Sequence, residues 1–589
     1  MKFINLLIAY AFLLSIPVYA DEAASTGDMQ QILDRLDQLQ SQVTQLESKV
    51  QEQDEVIKRQ NQALDKLGEM VPEVKKAMLP PEPKVVVSNF ILSGVNLFDP
   101  IDFEPVLKKY RSKEVGISDL KTIADELTAF YRSKGYITSL AYAPTQEIDN
   151  ETVEFRVIEG RVGTIELEGG EYFRKETMAK RITIEEGQVL DYERLQRDIK
   201  KLNKQPDRTM KAVLLPGQDK GTTDILIKME EENDPKHFYF DYSNTGTEET
   251  KTSRFGLGFA HNNLFGFDDI LSIKARVGDW DIYSISADYN IPINKYNTRI
   301  GAYGIFSHTD IGGQFTAIEP EGSATALGAY ITHPLFDKNY FDPVAVNISS
   351  DVIAGFDLID VKNMLMGEET SHDVLRVAKI GISFDERDAL GRTFVNNEFR
   401  VGIDGLGSYS SNDESSSIID AGADFLKYTG TVTRITRLPF SMTLINNLKF
   451  QHTNNPLVTS EQMSMGGADS VRGYPQNDYL ADYGYVATLE LRTPAFIFPR
   501  EIKVPYDDKK TPIMDAVQFV YFVDFGKGHR KNPRVGETKD QFMIGTGFGF
   551  RFDLYDHLRA RLDFGFPAGN EEPSDGSSGT VHIGVQYEF

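Results

Sequence analysis

The chain contains no cysteine, which in a protein of this size excludes a disulfide framework and any thiolate metal site. No run is long and apolar enough to cross a membrane as a helix, since a span needs ~20 such residues. The nearest approach is at the start, where Lys2 precedes an apolar run from Ile4 to Ile16 that breaks at Pro17. With Pro17-Val18-Tyr19-Ala20 before Asp21 it has the form of a cleavable export signal, so residues 1–20 are expected to be removed. Basic residues are the minority, 63 Lys and Arg against 88 Asp and Glu, which argues against a nucleic-acid partner. H-E-x-x-H, G-x-S-x-G and P-loop patterns are missing, and the nine histidines, His261 and His308 among them, are scattered. No catalytic residue, metal or cofactor is therefore expected.

Aromatics are plentiful, with 26 Tyr and 37 Phe beside the single Trp280. Such a chain is either a soluble β protein or a membrane barrel, and its last segment separates the two. In Thr580 to Phe589, Val581, Ile583, Val585, Tyr587 and Phe589 share one face and the polar residues and Gly584 the other. Barrel strands in a membrane need ~9–11 residues with this alternation. From Lys236 onward similar segments recur between turn-rich stretches, such as Phe255 to Ala260, Ile270 to Val277, Tyr283 to Tyr289 and Arg299 to Phe306. The polar runs between them are uneven, as at Ser408 to Ser417. Residues 235–589 leave room for about 16 strands at roughly ten residues each plus connections.

Residues 29 to 78 carry a heptad pattern: Met29, Leu36, Val43, Val50, Ile57 and Leu64 in one position, Ile32, Leu39, Leu46, Gln53, Gln60 and Leu67 in the other. The 4–3 spacing predicts a coiled-coil helix within residues 21–79, kinked or ended near Pro72. Its expected use is self-association, with docking to a partner or another periplasmic protein, or spacing against the cell wall, as the alternatives. Pro80, Pro81 and Pro83 make residues 80–84 a stiff linker. Two units of β-α-α-β-β order follow, at 85–160 and 161–234. In the first, Ser118 is the expected N-cap of a helix whose stripe includes Leu120, Ile123, Leu127 and Tyr131, and Gly135 stops it. In the second, Asp191 caps a helix carrying Leu195, Ile199 and Leu202. Glu230-Glu231-Glu232-Asn233-Asp234 reads as a solvated hinge before the barrel.

Four sets of residues carry a family resemblance. Phe130-Tyr131-Arg132-Ser133-Lys134-Gly135-Tyr136-Ile137-Thr138-Ser139, with Val157-Ile158-Glu159-Gly160-Arg161, resembles the first POTRA domain of the TpsB family, the transporters of two-partner secretion. Asn262 to Asp269 resembles an early-barrel segment of that family, departing from it slightly at Leu264 and Phe265. Gly466-Gly467-Ala468-Asp469-Ser470-Val471-Arg472-Gly473-Tyr474 resembles the tip of its sixth extracellular loop. Phe522-Val523-Asp524-Phe525-Gly526 resembles its F-x-D-x-G strand.

The resemblance, which covers about residues 85 to 589, implies a mainly β protein: a 16-stranded antiparallel transmembrane barrel in the outer membrane, preceded by two α+β POTRA domains in the periplasm, where the coiled coil predicted by the heptads would also lie. It implies a partner too, a secreted exoprotein exported unfolded through the barrel. The related assembly factors BamA and TamA share the barrel motifs but have more POTRA units. The expected site residues are Val471, Arg472, Gly473 and Tyr474 on an inward loop, and Phe522, Asp524 and Gly526 on the wall. The POTRA signature Gly135, Tyr136, Glu159 and Gly160 completes the set. By resemblance, Arg472 pairs with Asp524.

Overall fold

The computed structural model describes residues 84–589 except 232–233, 280–281, 341–344, 411–412, 506–508, 535 and 556. The export signal and the coiled coil lie outside the described residues. The first unit opens with strands β1 (Val85–Val87) and β2 (Asn89–Ser93), a short helix α1 (Glu104–Leu107) and strand β3 (Lys113–Val115). Helix α2 (Ile117–Ser133) then precedes strands β4 (Leu140–Tyr142) and β5 (Thr152–Ile158). The α2 stripe is buried at Ile123, Leu127 and Tyr131 against Val153 and Phe155 of β5. Its N-cap is Gly116 rather than Ser118. The Asp119 carboxylate reaches back to accept the Gly116 N–H at 2.9 Å, and the helix therefore begins one residue before Ser118. Gly135 ends this segment at φ +91°, a conformation that costs glycine little.

The second unit contains β6 (Arg161–Gly169), α3 (Lys175–Ala179), α4 (Tyr192–Leu202), β7 (Arg208–Pro216) and β8 (Thr222–Glu231). Asp191 caps α4 by accepting the Arg194 N–H at 3.0 Å. Glu231 is not part of a solvated hinge. Strand β8 runs through it, and its carboxylate accepts the backbone N–H groups of Glu171 at 2.5 Å and Phe173 at 2.8 Å.

Sixteen strands then close into an antiparallel barrel. They are β9 (Lys236–Ser243), β10 (Arg254–His261), β11 (Ile270–Asp279), β12 (Ile282–Pro292) and β13 (Arg299–Asp310). Next come β14 (Pro320–Tyr340), β15 (Val346–Leu365), β16 (Glu368–Asp388), β17 (Gly391–Gly402), β18 (Leu426–Leu438) and β19 (Met442–Thr453). A small ribbon, β20 (Met463–Met465) and β21 (Tyr479–Ala481), stands in the loop that follows. The barrel resumes with β22 (Tyr483–Pro494), β23 (Val517–His529), β24 (Asp540–Leu554), β25 (Leu558–Pro567) and β26 (Thr580–Glu588). A short helix, α5 (Ile513–Ala516), precedes β23. Strand β26 pairs with β9, so no strand of the wall keeps an open edge. In hydrocarbon each unpaired backbone group would cost several kcal/mol, which is why only closed sheets and helices cross.

Side chains alternate across this wall. On β23, Tyr521 and Phe525 are exposed on the outside while Phe522 and Asp524 are buried inside. On β26, Val581 and Tyr587 are exposed and His582 is buried. Connections at the end facing the two α+β units are mostly short, apart from residues 495–516. At the far end the longest are the fifth loop, 403–425, and the sixth, 454–482.

Glu159 supplies a stability test outside the barrel. Burial pushes its carboxyl up, but hydrogen bonds from the Asn96 and Leu97 backbones, the Asn96 side chain and Tyr131 outweigh burial and hold it below the usual carboxylate range. A depressed carboxyl adds stability above its unfolded pKa and loses it as the pH falls through the folded one. In a fragment of residues 85–231, Glu159→Gln is expected to cost about 1–3 kcal/mol near neutral pH. Urea titrations of both proteins should converge as the pH drops below about 4.

Candidate functional site

The sixth far-end loop folds back into the barrel. Two glycines with positive φ, Gly466 and Gly467, turn the chain after β20, and the following residues lie against the inner wall. Val471 and Tyr474 are fully buried, with Met465, Val486 and Met543 around them. The Tyr474 hydroxyl donates to the Glu571 carbonyl at 3.1 Å. Gly473 has φ +98°, and a Cβ there would stand 2.6 Å from the Phe566 carbonyl carbon. The wall under the tip is equally bare. A Cβ on Gly545 of β24 would lie 2.0 Å from the Arg472 carbonyl oxygen, and one on Gly565 of β25 would lie 2.5 Å from the Gly473 nitrogen. Only a wall without side chains at these positions lets the loop backbone come so close.

Arg472 is the centre of the site. Its Nε donates to Asp524 Oδ2 at 2.7 Å, its Nη2 to Oδ1 at 3.0 Å, and its backbone N–H to Oδ2 at 3.1 Å. A planar fork meeting a carboxylate in this way is a geometry lysine cannot reproduce. The remaining nitrogen, Nη1, donates to Glu490 Oε2 of β22 at 2.7 Å. The guanidinium carbon also sits 3.4 Å from the Phe522 ring centroid, a cation–π contact that gains strength out of water.

The carboxylates are shared further. Glu490 accepts Arg492 Nε at 2.8 Å and Arg551 Nη2 at 3.3 Å, and Arg551 Nη1 donates to Asp563 of β25 at 2.7 Å. Three guanidiniums and three carboxylates thus form one buried network. Breaking one partner of such a network is expensive because the others are left uncompensated. The structure brings Arg472, Phe522, Asp524 and Gly526 together. Glu490, Arg492, Arg551 and Asp563 were not singled out from the sequence. Their available signal was a charge on the face opposite the lipid-directed one, as in Leu489-Glu490-Leu491-Arg492.

The POTRA signature lies elsewhere, at the joint between the two α+β units. The Gly135 carbonyl accepts the Tyr192 N–H at 3.1 Å, and the Gly160 carbonyl accepts the Leu190 N–H at 2.8 Å. Tyr136 packs against the first core, with its ring 5.7 Å from Phe98.

The early-barrel segment Asn262 to Asp269 holds the second unit. Asp268 is buried and pairs with Arg208 Nη1 at 2.5 Å and with Arg181. Asn262 donates to Asp207 at 2.7 Å, and Asn263 to the Tyr172 carbonyl at 2.8 Å.

One wall substitution tests the seating of the tip. Gly545→Ala is compatible with a strand but places a methyl in the Arg472 backbone. The barrel is expected to fold at a cost of about 1–3 kcal/mol, with a larger conductance in planar lipid bilayers than the wild type. Unchanged conductance from the folded variant would mean that the tip does not rest on β24.

Comparison with known proteins agrees with this architecture. Residues 221–552 match the family described as haemolysin secretion/activation protein ShlB/FhaC/HecB, and residues 85–160 match the ShlB-type POTRA domain. The heme/hemopexin transporter protein HuxB of Haemophilus influenzae is 24% identical over 462 residues, covering 76% of this chain and 77% of that protein. The outer membrane transporter CdiB of Dickeya dadantii is 22% identical, with 75% of each chain covered. Among solved structures, CdiB from Escherichia coli superposes with a TM-score of 0.69 at 18% identity, covering 91% of this chain and 98% of that one. BamA from Haemophilus ducreyi lacking POTRA domains 1-3 shares the fold more distantly, with a TM-score of 0.50 at 12% identity over 86% of this chain and all of that one. The family match spans most of the barrel, the POTRA match lies before it, and the chain belongs to the ShlB/FhaC/HecB family, the outer-membrane transporters of two-partner secretion.

Proposed function

We propose that the two POTRA units stand in the periplasm, catch an unfolded exoprotein there and feed it to the barrel, which conducts it to the outside. The observation that carries this reading is the join between the second unit and the barrel. The buried Arg208–Asp268 pair and the Asn262–Asp207 bond hold the unit at the barrel's near mouth, so a captured segment is delivered where the conduit begins.

Capture has a physical means. In the first unit the sheet order is β2-β5-β4, and in the second β6-β8-β7. Strands β2 and β7 are therefore edges, with Ile91 on one and Val213 and Leu215 on the other exposed. An extended chain can add to such an edge through main-chain hydrogen bonds, which tolerate many sequences. The Arg472–Asp524 pair acts as a lock that sets where the inward loop sits during passage.

Secretion from intact cells checks this directly. The chain is expressed with the large exoprotein encoded beside it, and culture medium is compared for wild type, Arg472→Ala and a POTRA-deleted version. Both variants are expected to lose the exoprotein from the medium while the barrels stay folded and other outer-membrane proteins keep their levels. Unchanged export with a general fall in outer-membrane proteins would instead make this an assembly factor.

A further inference from the structure

Arg472 secures only the tip of the sixth loop, and the loop is bound a second time on a different part of the wall. Glu461, on the short turn Thr459–Glu461 before β20, is buried. Its Oε1 lies 3.0 Å from Arg400 Nη2 of β17 and its Oε2 lies 2.5 Å from Lys427 Nζ of β18. Its backbone carbonyl accepts Lys427 Nζ at 3.2 Å and Gln451 Nε2 of β19 at 3.1 Å.

The bridge continues along the lumen. Arg400 also lies 3.4 Å from Asp357 of β15, which pairs with Lys379 of β16 at 3.0 Å. The tip's partners are on β22, β23 and β25, on the other side of the loop's root between β19 and β22. Asp482 ties the two legs together. Its carboxylate accepts the Leu457 N–H at 2.8 Å, Gln462 Nε2 at 3.2 Å and, from the next loop, the Lys531 N–H at 2.6 Å.

A loop held on both sides of its own root is a strap across the lumen. We propose that Glu461 is a positioning residue for export, a second anchor that keeps this strap across the conduit, and that loss of its bridge widens the pore while Arg472 still holds the tip. This rests on the export reading above. The chemistry is specific: the anchor is a carboxylate between two cations, so it should be sensitive to the loss of its negative charge.

The test uses the full-length protein in planar lipid bilayers and in cells challenged with an antibiotic too large for intact porins. Glu461→Gln keeps the shape and removes the charge. Breaking one partner of a buried pair shifts a two-state equilibrium strongly, so open-pore occupancy should rise by about tenfold or more. Antibiotic sensitivity should rise in parallel, with unheated gel mobility still that of a folded barrel. Glu461→Asp keeps the negative charge between Arg400 and Lys427 and should leave both readouts close to wild type. Lys427→Met breaks the bridge from the wall and decides the matter should the Glu461 variants not fold; it is expected to open the pore as well.

Wild-type conductance in the folded Glu461→Gln or Lys427→Met proteins would overturn the proposal, as would a folded Glu461→Asp protein as open as Glu461→Gln. Exoprotein in the medium is scored separately. If the wild type exports none, the export reading fails while the conductance contrast still judges the anchor.

Discussion

A guanidinium removed from water must be met by carboxylates, and in this protein that requirement organises the barrel interior. Arg472 has Asp524 on one edge, Glu490 on another and the Phe522 ring on its face. Each of those groups belongs to the wall, while Arg472 belongs to a loop that could otherwise extend into solvent. The isolated cost of burying such a charge is several kcal/mol, so the loop can dwell inside only where the wall supplies this constellation. The glycines at 545 and 565 follow from the same demand, since the fork reaches Asp524 only if the loop backbone lies directly on the sheet.

The near end obeys the same rule at smaller scale. Asp268 is buried at the turn between the second and third barrel strands and receives Arg208 and Arg181 from the second POTRA unit. Arg208 also stacks on Phe173, 4.5 Å from the ring centroid. A joint made this way is directional, because a planar fork fixes orientation as well as distance. The second POTRA unit and the barrel mouth are therefore joined through named residues rather than through a loose tether.

Much of the fold was legible because barrel strands and amphipathic helices have short periods. The alternation at Thr580 to Phe589 and the stripe from Leu120 to Tyr131 each state a face, and the structure buries and exposes those faces accordingly. Where the sequence reading failed, a local hydrogen bond decided. Asp119 reaches back to Gly116 and moves the helix start, and Glu231 caps the 171–173 turn instead of lying in solvent. The Arg472–Asp524 contact was expected through family resemblance, and the structure shows it. Glu490, Asp563 and Glu461 were not legible, because their partners lie on other strands and only the barrel's register brings them together. The role of Asn262 to Asp269 as the seat of the second POTRA unit was hidden for the same reason.

The absence of cysteine from the chain makes the seating of the loop directly measurable. A Cβ on Gly526 would stand 2.8 Å from a Val471 methyl, so cysteines at both positions fall within reach of a disulfide. The measurement is the extent of cross-linking in the double variant Val471→Cys with Gly526→Cys, oxidised in intact outer membranes and read as a reductant-sensitive shift in gel mobility. Near-complete cross-linking in the folded barrel is expected, since the loop tip rests on this wall. Two free thiols that both react with a maleimide under the same oxidising conditions, in a barrel that is demonstrably folded, would contradict the inward loop and the lock built on it.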